Sequence, residues 1–281
     1  MNALFLGFIA ALCWGIHDVT VRRISQTAPL MATLFFALIA GAIFQGLVVA
    51  TTGGFEPVSQ KALFYCAAAA VAFLVASIGL YLAFQRGPVR IVAPVIGSFP
   101  IYSVALASFQ GAQISVWQWG AVLLVVLGIV IVSIFSDGEV EDTPNLRLTI
   151  VIAAFSAFGY FATFALGQEA SRLSDNMLVN LITRSTCVVL MVPIFVLFSL
   201  PIWPGRSAIP TIIVMGILDG IAIICMFAAG AYPSAQYAAV AASVFGLITI
   251  LLAWMFLDEK MRAAQWFGCL VAFGGIGYLA L

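Results

Sequence analysis

Charge is the scarcest property of this sequence. Only 8% of its 281 residues are Asp, Glu, Lys or Arg, whereas soluble domains carry about 25%. The formal net charge is zero, so there is no basic patch of the kind that neutralises nucleic-acid phosphates, and no nucleic-acid partner is expected. With 64% hydrophobic residues and a mean hydropathy of +1.18, the chain is predicted to be an all-α polytopic membrane protein.

Residues that usually carry chemistry are also few. His17 is the only histidine, and the five cysteines lie in apolar segments without the spacing of a metal site or a disulfide framework. One histidine cannot build the usual clusters of metalloenzymes, and no GxxxxGK segment is present for ATP hydrolysis. The sequence therefore predicts no metal, no cofactor and no catalytic residue.

Apolar runs of about 20 residues, the length needed to cross a hydrocarbon layer of ~30 Å, alternate with short breaks rich in glycine and proline. The breaks are too short to hold further domains. We predict ten membrane-spanning helices, at residues 3–24, 30–50, 62–84, 89–109, 116–136, 147–169, 176–200, 209–230, 236–256 and 262–281.

An internal repeat divides these spans into two sets of five. The first repeat covers 1–136, an acidic linker covers 137–146, and the second repeat covers 147–281. The segment Ser115–Gly120 that opens the fifth span resembles Ala263–Gly268, which opens the tenth. Because each half has an odd number of spans, the second half enters the membrane from the opposite face. We therefore predict two inverted five-helix repeats, with a binding site between them near the midplane.

Two charged residues lie well inside predicted spans, away from the span ends: Arg184 in the seventh and Asp219 about the middle of the eighth. A charged side chain at the bilayer centre costs about 2.5–3.5 kcal/mol on insertion scales, so both are expected to face the protein interior. Their depths are compatible with a mutual ion pair. Two functional alternatives stay open: Asp219 carries a proton or meets a substrate ammonium group, and Arg184 binds a substrate carboxylate.

The segment Cys13–Arg23 of the first span contains the histidine beside Asp18. Asp18 and Arg22 are four residues apart, which predicts a local ion pair near the headgroups. His17 is about 100° further round the helix, on the face shared with Trp14. We therefore predict that His17 lines a cavity or acts as a gate, and that Asp18 is a structural anchor.

Aromatic and hydroxyl groups complete the candidate site. Aromatic rings attract cations and stack on aromatic cargo. The predicted cavity walls are Trp14, Tyr81, Tyr102, Phe158 and Tyr160.

The fourth span has Pro94 and Pro100 on either side of Gly97-Ser98, which predicts a break in the helix. The ninth span has Ser243 at the matching place but no proline, so we expect the two halves to differ mechanically. Ser98 and Ser243 are predicted substrate contacts.

The end of the second half carries a distinctive pattern. A small-residue helix at Ala238–Ser243 is followed by the turn Leu257–Met261 and by Gln-Trp-Phe-Gly at 265–268. In this pattern and in its ten spans, the whole chain resembles the EamA type of the drug/metabolite transporter superfamily. The corresponding turn of the first half, Phe109–Ile114, lacks the acidic and basic residues of the pattern.

Within that family, the overall sequence, including the run Trp14–Asp18, is most similar to exporters of aromatic amino acids. The resemblance implies a secondary transporter, not an enzyme, that exports neutral and aromatic amino acids across the inner membrane. We expect a monomer in the lipid bilayer that works by alternating access. The competing hypotheses are another cargo, such as a nucleotide sugar or a cationic drug, an intramembrane lipid-modifying enzyme, and a passive channel. A phosphate-bearing cargo would call for several intramembrane basic residues, and only Arg184 qualifies.

Overall fold

A computed structural model describes residues 3–52, 57–135, 145–257 and 262–280. The predicted linker 137–146 and the predicted turn Leu257–Met261 therefore fall almost entirely outside the described residues. The described residues form twelve α-helices: α1 Ala3–Ile24, α2 Leu30–Thr52, α3 Gln60–Arg86, α4 Val89–Ile96, α5 Pro100–Phe109, α6 Val116–Ile134, α7 Leu146–Leu173, α8 Asn176–Phe198, α9 Ile209–Ala228, α10 Gln236–Ala242, α11 Phe245–Phe256 and α12 Ala263–Ala280.

The prediction of an all-α polytopic membrane protein is confirmed. Within the described ranges, seven helical stretches are long and apolar enough to cross a membrane. The stretches Pro100–Phe109, Val116–Gly128 and Ala263–Ala272 are shorter apolar helices. These ten segments follow one another in the predicted order, with α4 and α5 together forming the fourth segment and α10 and α11 forming the ninth.

The two halves pack against each other through equivalent pairs of helices. The first helix of each half packs on the third helix of the other half, so that α1 contacts α9 and α7 contacts α3. The two second helices, α2 and α8, contact each other, and so do the two last helices, α6 and α12. Exchanging the halves leaves this pattern of contacts unchanged, as a twofold relation between inverted repeats requires.

The α6–α12 contact shows the relation at the level of single residues. A Cβ atom on Gly128 of α6 would lie 2.4 Å from the carbonyl oxygen of Gly268 on α12. A Cβ atom on Gly275 of α12 would lie 2.6 Å from the carbonyl oxygen of Ala121 on α6. Each helix therefore offers a glycine to the backbone of the other, and the two axes approach closely because no side chain intervenes.

Both halves contain a broken helix at the same place. In the first half, α5 restarts at Pro100 and the Ser98 hydroxyl donates to the Val95 carbonyl at 2.7 Å. In the second half, α10 ends before Ser243, whose hydroxyl donates to the Val240 carbonyl at 2.7 Å. The predicted break of the fourth span is present, and the ninth span breaks without a proline. A serine bonded to the carbonyl three residues earlier competes there with helical hydrogen bonding.

Candidate functional site

An ionic cluster lies where α1, α8 and α9 meet. The indole nitrogen Nε1 of Trp14 donates to Asp219 Oδ1 at 2.9 Å, and Arg184 Nη1 lies 2.6 Å from Asp219 Oδ2. All three residues are buried. The predicted ion pair between Arg184 and Asp219 is confirmed, and both carboxylate oxygens of Asp219 are occupied.

The guanidinium of Arg184 also lies over the ring of Phe73 on α3, with Cζ 4.8 Å from the ring centroid. When Tyr81 is aligned with Phe227 in the two halves, Phe73 corresponds to Asp219. Arg184 is therefore held between equivalent positions of the two repeats, by a carboxylate on one side and an aromatic face on the other. Its Nη2 atom is buried without a hydrogen-bond partner, so the two N–H groups of this nitrogen are unsatisfied.

His17 and Asp18 form a second polar group on α1. His17 Nδ1 lies 2.8 Å from Asp18 Oδ1, and the Tyr81 hydroxyl lies 3.5 Å from His17 Nε2. Asp18 is 1% exposed, and its Oδ2 has no hydrogen-bond partner. Arg22 Nη1 instead donates to the carbonyl of Phe84 on α3 at 2.8 Å. The predicted ion pair of Asp18 with Arg22 is therefore wrong, because α3 packs against the end of α1 and supplies Arg22 with a backbone acceptor.

Aromatic side chains and this polar group enclose a small space that we call the central cavity. It leaves about 20 Å³ for the centre of a water-sized molecule, which is roughly the room of a single water. Its rings are in mutual contact, with the Trp14 and Phe164 centroids 5.4 Å apart and those of Phe99 and Phe164 5.3 Å apart. The lining residues are Trp14, His17, Asp18, Leu80, Ile96, Phe99, Tyr160, Phe164 and Phe245.

Larger pockets lie on both sides of the central cavity. One of about 260 Å³ lies between α5, α7 and α10, on the membrane face where α1 begins; we call it the vestibule. Phe164 lines both the vestibule and the central cavity. On the opposite face, a pocket of about 800 Å³ lies between the end of α1, the start of α9 and the end of α11.

The structure brings six of the predicted site residues together in this central region: Trp14, His17, Tyr81, Tyr160, Arg184 and Asp219. The hydroxyls of Ser98 and Ser243 are bonded to backbone carbonyls at the helix breaks. The cavity is lined in their place by Phe99, which directly follows Ser98, and by Phe245, two residues after Ser243.

Two predicted wall residues lie elsewhere. Tyr102 and Phe158 are 37% and 52% exposed and pack edge to face, with their centroids 5.6 Å apart. Phe158 precedes Tyr160 by two positions, which turns it by about 200° around α7 and away from the cavity. The aromatic residue type was a sound criterion, but the helix face decides which rings line the cavity.

Sequence reasoning also missed several members of the cluster. Phe164 follows Tyr160 by one helical turn, so its face could have been read from spacing alone. Phe99 and Phe245 each follow the serine of a helix break, a signal that becomes visible when the two halves are aligned. No comparable sequence signal identifies Phe73 as a contact of Arg184 or shows that Asp18 faces the cavity. Both depend on how α3 packs against the other helices.

Two inverted, interlocked halves around a buried ionic and aromatic centre are an arrangement typical of secondary transporters. The chain belongs to the EamA-like transporter family, whose profile matches residues 1–134 and 147–281. A solved structure described only as "Crystal structure of protein" superimposes with a TM-score of 0.80 over 99% of this chain and 96% of that chain. At 16% sequence identity, this likeness shows the fold alone.

Two archaeal relatives match at the sequence level. An uncharacterized transporter of Archaeoglobus fulgidus is 27% identical over 166 residues, which are 56% of this chain and 56% of that protein. An uncharacterized protein of Methanocaldococcus jannaschii is 26% identical over 134 residues, which are 47% of this chain and 97% of that protein. The match to the first relative thus spans little more than half its length, and neither description names a cargo.

Proposed function

We propose that this protein is a secondary transporter that exports neutral and aromatic amino acids across the inner membrane by alternating access. The observation that supports it most is the central cavity, which lies between the two interlocked halves and combines a ring-lined wall with the buried carboxylate of Asp18. Midplane sites at the interface of inverted repeats are where transporters of this architecture bind cargo. The cargo is a small molecule, and the working unit is a monomer in the lipid bilayer.

The size of the cavity favours a transporter over a passive channel. A channel needs a continuous water path, whereas the central cavity has room for about one water and is separated from the vestibule by the Phe164 ring. We interpret this arrangement as a closed state, in which the rings occupy the space that cargo takes when the halves move apart.

The chemistry of the walls supports an amino acid as cargo. Trp14, Tyr160 and Phe164 offer faces on which aromatic and aliphatic side chains can stack without a fixed geometry. Arg184 does not line the central cavity, but it pairs with the Asp219 carboxylate that bonds Trp14, and its unsatisfied Nη2 is a buried donor of the kind that binds a carboxylate. Loose walls and few fixed polar groups fit a transporter that tolerates several side chains.

Counterflow in proteoliposomes tests the proposal. Purified protein is reconstituted with unlabelled tryptophan, phenylalanine or leucine inside, and uptake of the labelled amino acid is followed with and without a pH gradient. We expect uptake that depends on the internal amino acid, and a loss of at least tenfold in Trp14→Ala. The matched control is Phe155→Ala, which truncates a ring on α7 that is 70% exposed.

The outcomes separate the competing functions. No uptake of any of the three amino acids by the wild-type protein would overturn the proposed cargo. Uptake that does not depend on internal amino acid would favour a channel, because a pore needs no exchange partner.

A further inference from the structure

We infer that the carboxylate of Asp18 and the rings of the central cavity form a binding site for an organic ammonium group. The inference rests on the proposed function, since it takes the central cavity as the cargo site. It names the feature of the cargo that is recognised, a positively charged amine on an apolar or aromatic body.

Asp18 has an unsatisfied carboxylate oxygen at the cavity. This side chain lines the central cavity and is 1% exposed, yet only Oδ1 has a partner, His17 Nδ1 at 2.8 Å. Oδ2 is buried without any hydrogen bond. A buried carboxylate oxygen without a donor is costly, and a guest that donates a charged N–H group satisfies it.

Aromatic rings surround the cavity that this carboxylate lines. The Trp14 ring contacts Phe164 at 5.4 Å and Phe245 at 6.2 Å between centroids, and Tyr160 stacks on Phe164 at 6.0 Å. All four rings line the same cavity as Asp18. Several aromatic faces converging on one space are the arrangement by which proteins bind alkylammonium groups, since each face attracts a cation within about 6 Å.

The charged groups around the central cavity favour a cationic guest. Among the described residues of the ionic cluster and of the His17–Asp18 group, Asp18 and Asp219 are acidic and Arg184 is the one permanent cation. Arg184 and Trp14 together satisfy both oxygens of Asp219. No Lys or Arg side chain is therefore left in this group to pair with the carboxylate of Asp18. A cationic guest neutralises the centre, whereas a guest with only a carboxylate would add a second uncompensated charge.

Three indole compounds separate the groups of the cargo. Tryptamine carries the ammonium group alone, indole-3-propionate carries the carboxylate alone, and tryptophan carries both. Their binding to the purified full-length protein is measured by calorimetry in lipid nanodiscs. We expect wild-type protein to bind tryptamine at least tenfold more tightly than indole-3-propionate.

Asp18→Asn tests the residue itself. The substitution keeps the shape and the ability to hydrogen-bond to His17 but removes the charge. We expect the affinity for tryptamine and tryptophan to fall at least tenfold, while that for indole-3-propionate stays the same or rises. The matched control is Asp175→Asn, an exposed residue that caps α8 by accepting from the Leu178 amide. Asparagine caps helices equally well, so this variant should bind all three compounds like wild type.

Two results would overturn the inference: equal binding of tryptamine and indole-3-propionate by wild type, or unchanged tryptamine affinity in Asp18→Asn. If Asp18→Asn does not fold, the wild-type comparison of the three compounds still decides. Failure of the proposed function has a different signature. If counterflow is absent but the protein still prefers tryptamine, the proposed transport is wrong and the ammonium site stands. If counterflow is present but the preference for tryptamine is absent, the ammonium site is wrong and the transport stands.

Discussion

Arg184 of α8 pairs with Asp219 of α9 at 2.6 Å while its guanidinium covers the ring of Phe73 on α3. The Arg184 side chain therefore links α8 to α3 and α9, which are the third helices of the two halves. Both members of the pair are buried. Because a buried charge without its partner is far more costly than a buried neutral pair, the two residues are expected to be energetically coupled.

Asp219→Asn should lower the free energy of unfolding by about 3–5 kcal/mol, since it leaves the Arg184 guanidinium buried without a counter-charge. The double variant Arg184→Gln with Asp219→Asn should recover much of that loss. Both are compared with wild type by thermal unfolding in detergent. Arg184→Gln alone is measured as well, and a double variant whose loss equals the sum of the two single losses would show that the pair is not coupled.

Phe164→Ala should join the central cavity to the vestibule, because Phe164 is the ring that lines both. We expect amino-acid uptake that no longer depends on internal amino acid, measured in the counterflow assay. Phe155→Ala on the exposed side of α7 controls for the loss of a phenylalanine from this helix. If uptake by Phe164→Ala depends on internal amino acid as strongly as uptake by wild type does, other residues close the cavity.

Ser98→Ala and Ser243→Ala each remove the hydroxyl that bonds a carbonyl at a helix break. If the breaks serve as joints, each variant should slow transport about fivefold, as expected for a change of about 1 kcal/mol in the barrier. Binding of tryptophan should stay the same. Thr186→Ala is the matched control, since its hydroxyl bonds the Ile182 carbonyl within the unbroken α8. Loss of binding, or a slowing equal to that of Thr186→Ala, would contradict a role as joints.

Gly216→Ala should destabilise the contact between α2 and α9. A Cβ atom at this position would lie 2.4 Å from the Ala37 carbonyl oxygen, so the helices must move apart, at a cost of about 1–3 kcal/mol. Gly120→Ala places its methyl group where no atom lies within 4 Å and should be neutral or slightly stabilising. The two melting temperatures, measured in the same detergent, decide. Equal values would mean that α9 has room to shift.

Hydropathy and residue order were sufficient to predict the helices of this protein. Each predicted span corresponds to one helix or to a pair of helices, since burial in hydrocarbon constrains length and composition strongly. The pair of Arg184 and Asp219 was predictable too, because two charges at similar depth in the membrane have few other partners.

Side-chain direction was harder to predict. The spacing in the sequence predicted an ion pair between Asp18 and Arg22. In the structure, Arg22 donates to the carbonyl of Phe84, and Asp18 contacts His17. The break before Ser243 was missed because a serine inside a membrane helix is a far weaker signal than a proline. The first error arises from a contact with another helix, and the second arises from competition for one backbone carbonyl. The pattern of residues along a single helix shows neither.

The glycine-lined contact between α6 and α12 also bears on how such a chain can arise. Each of the two helices presents a glycine to the backbone of its partner, which is the form of an isologous interface between identical subunits. The equivalent surfaces of the two halves are therefore complementary to each other. Two copies of such a half could close on each other with twofold symmetry, provided that one copy is inserted in each orientation. When the two halves are joined in one chain, one sequence no longer has to insert in both orientations. Each half is then free to acquire its own charges, as the equivalent positions Phe73 and Asp219 illustrate.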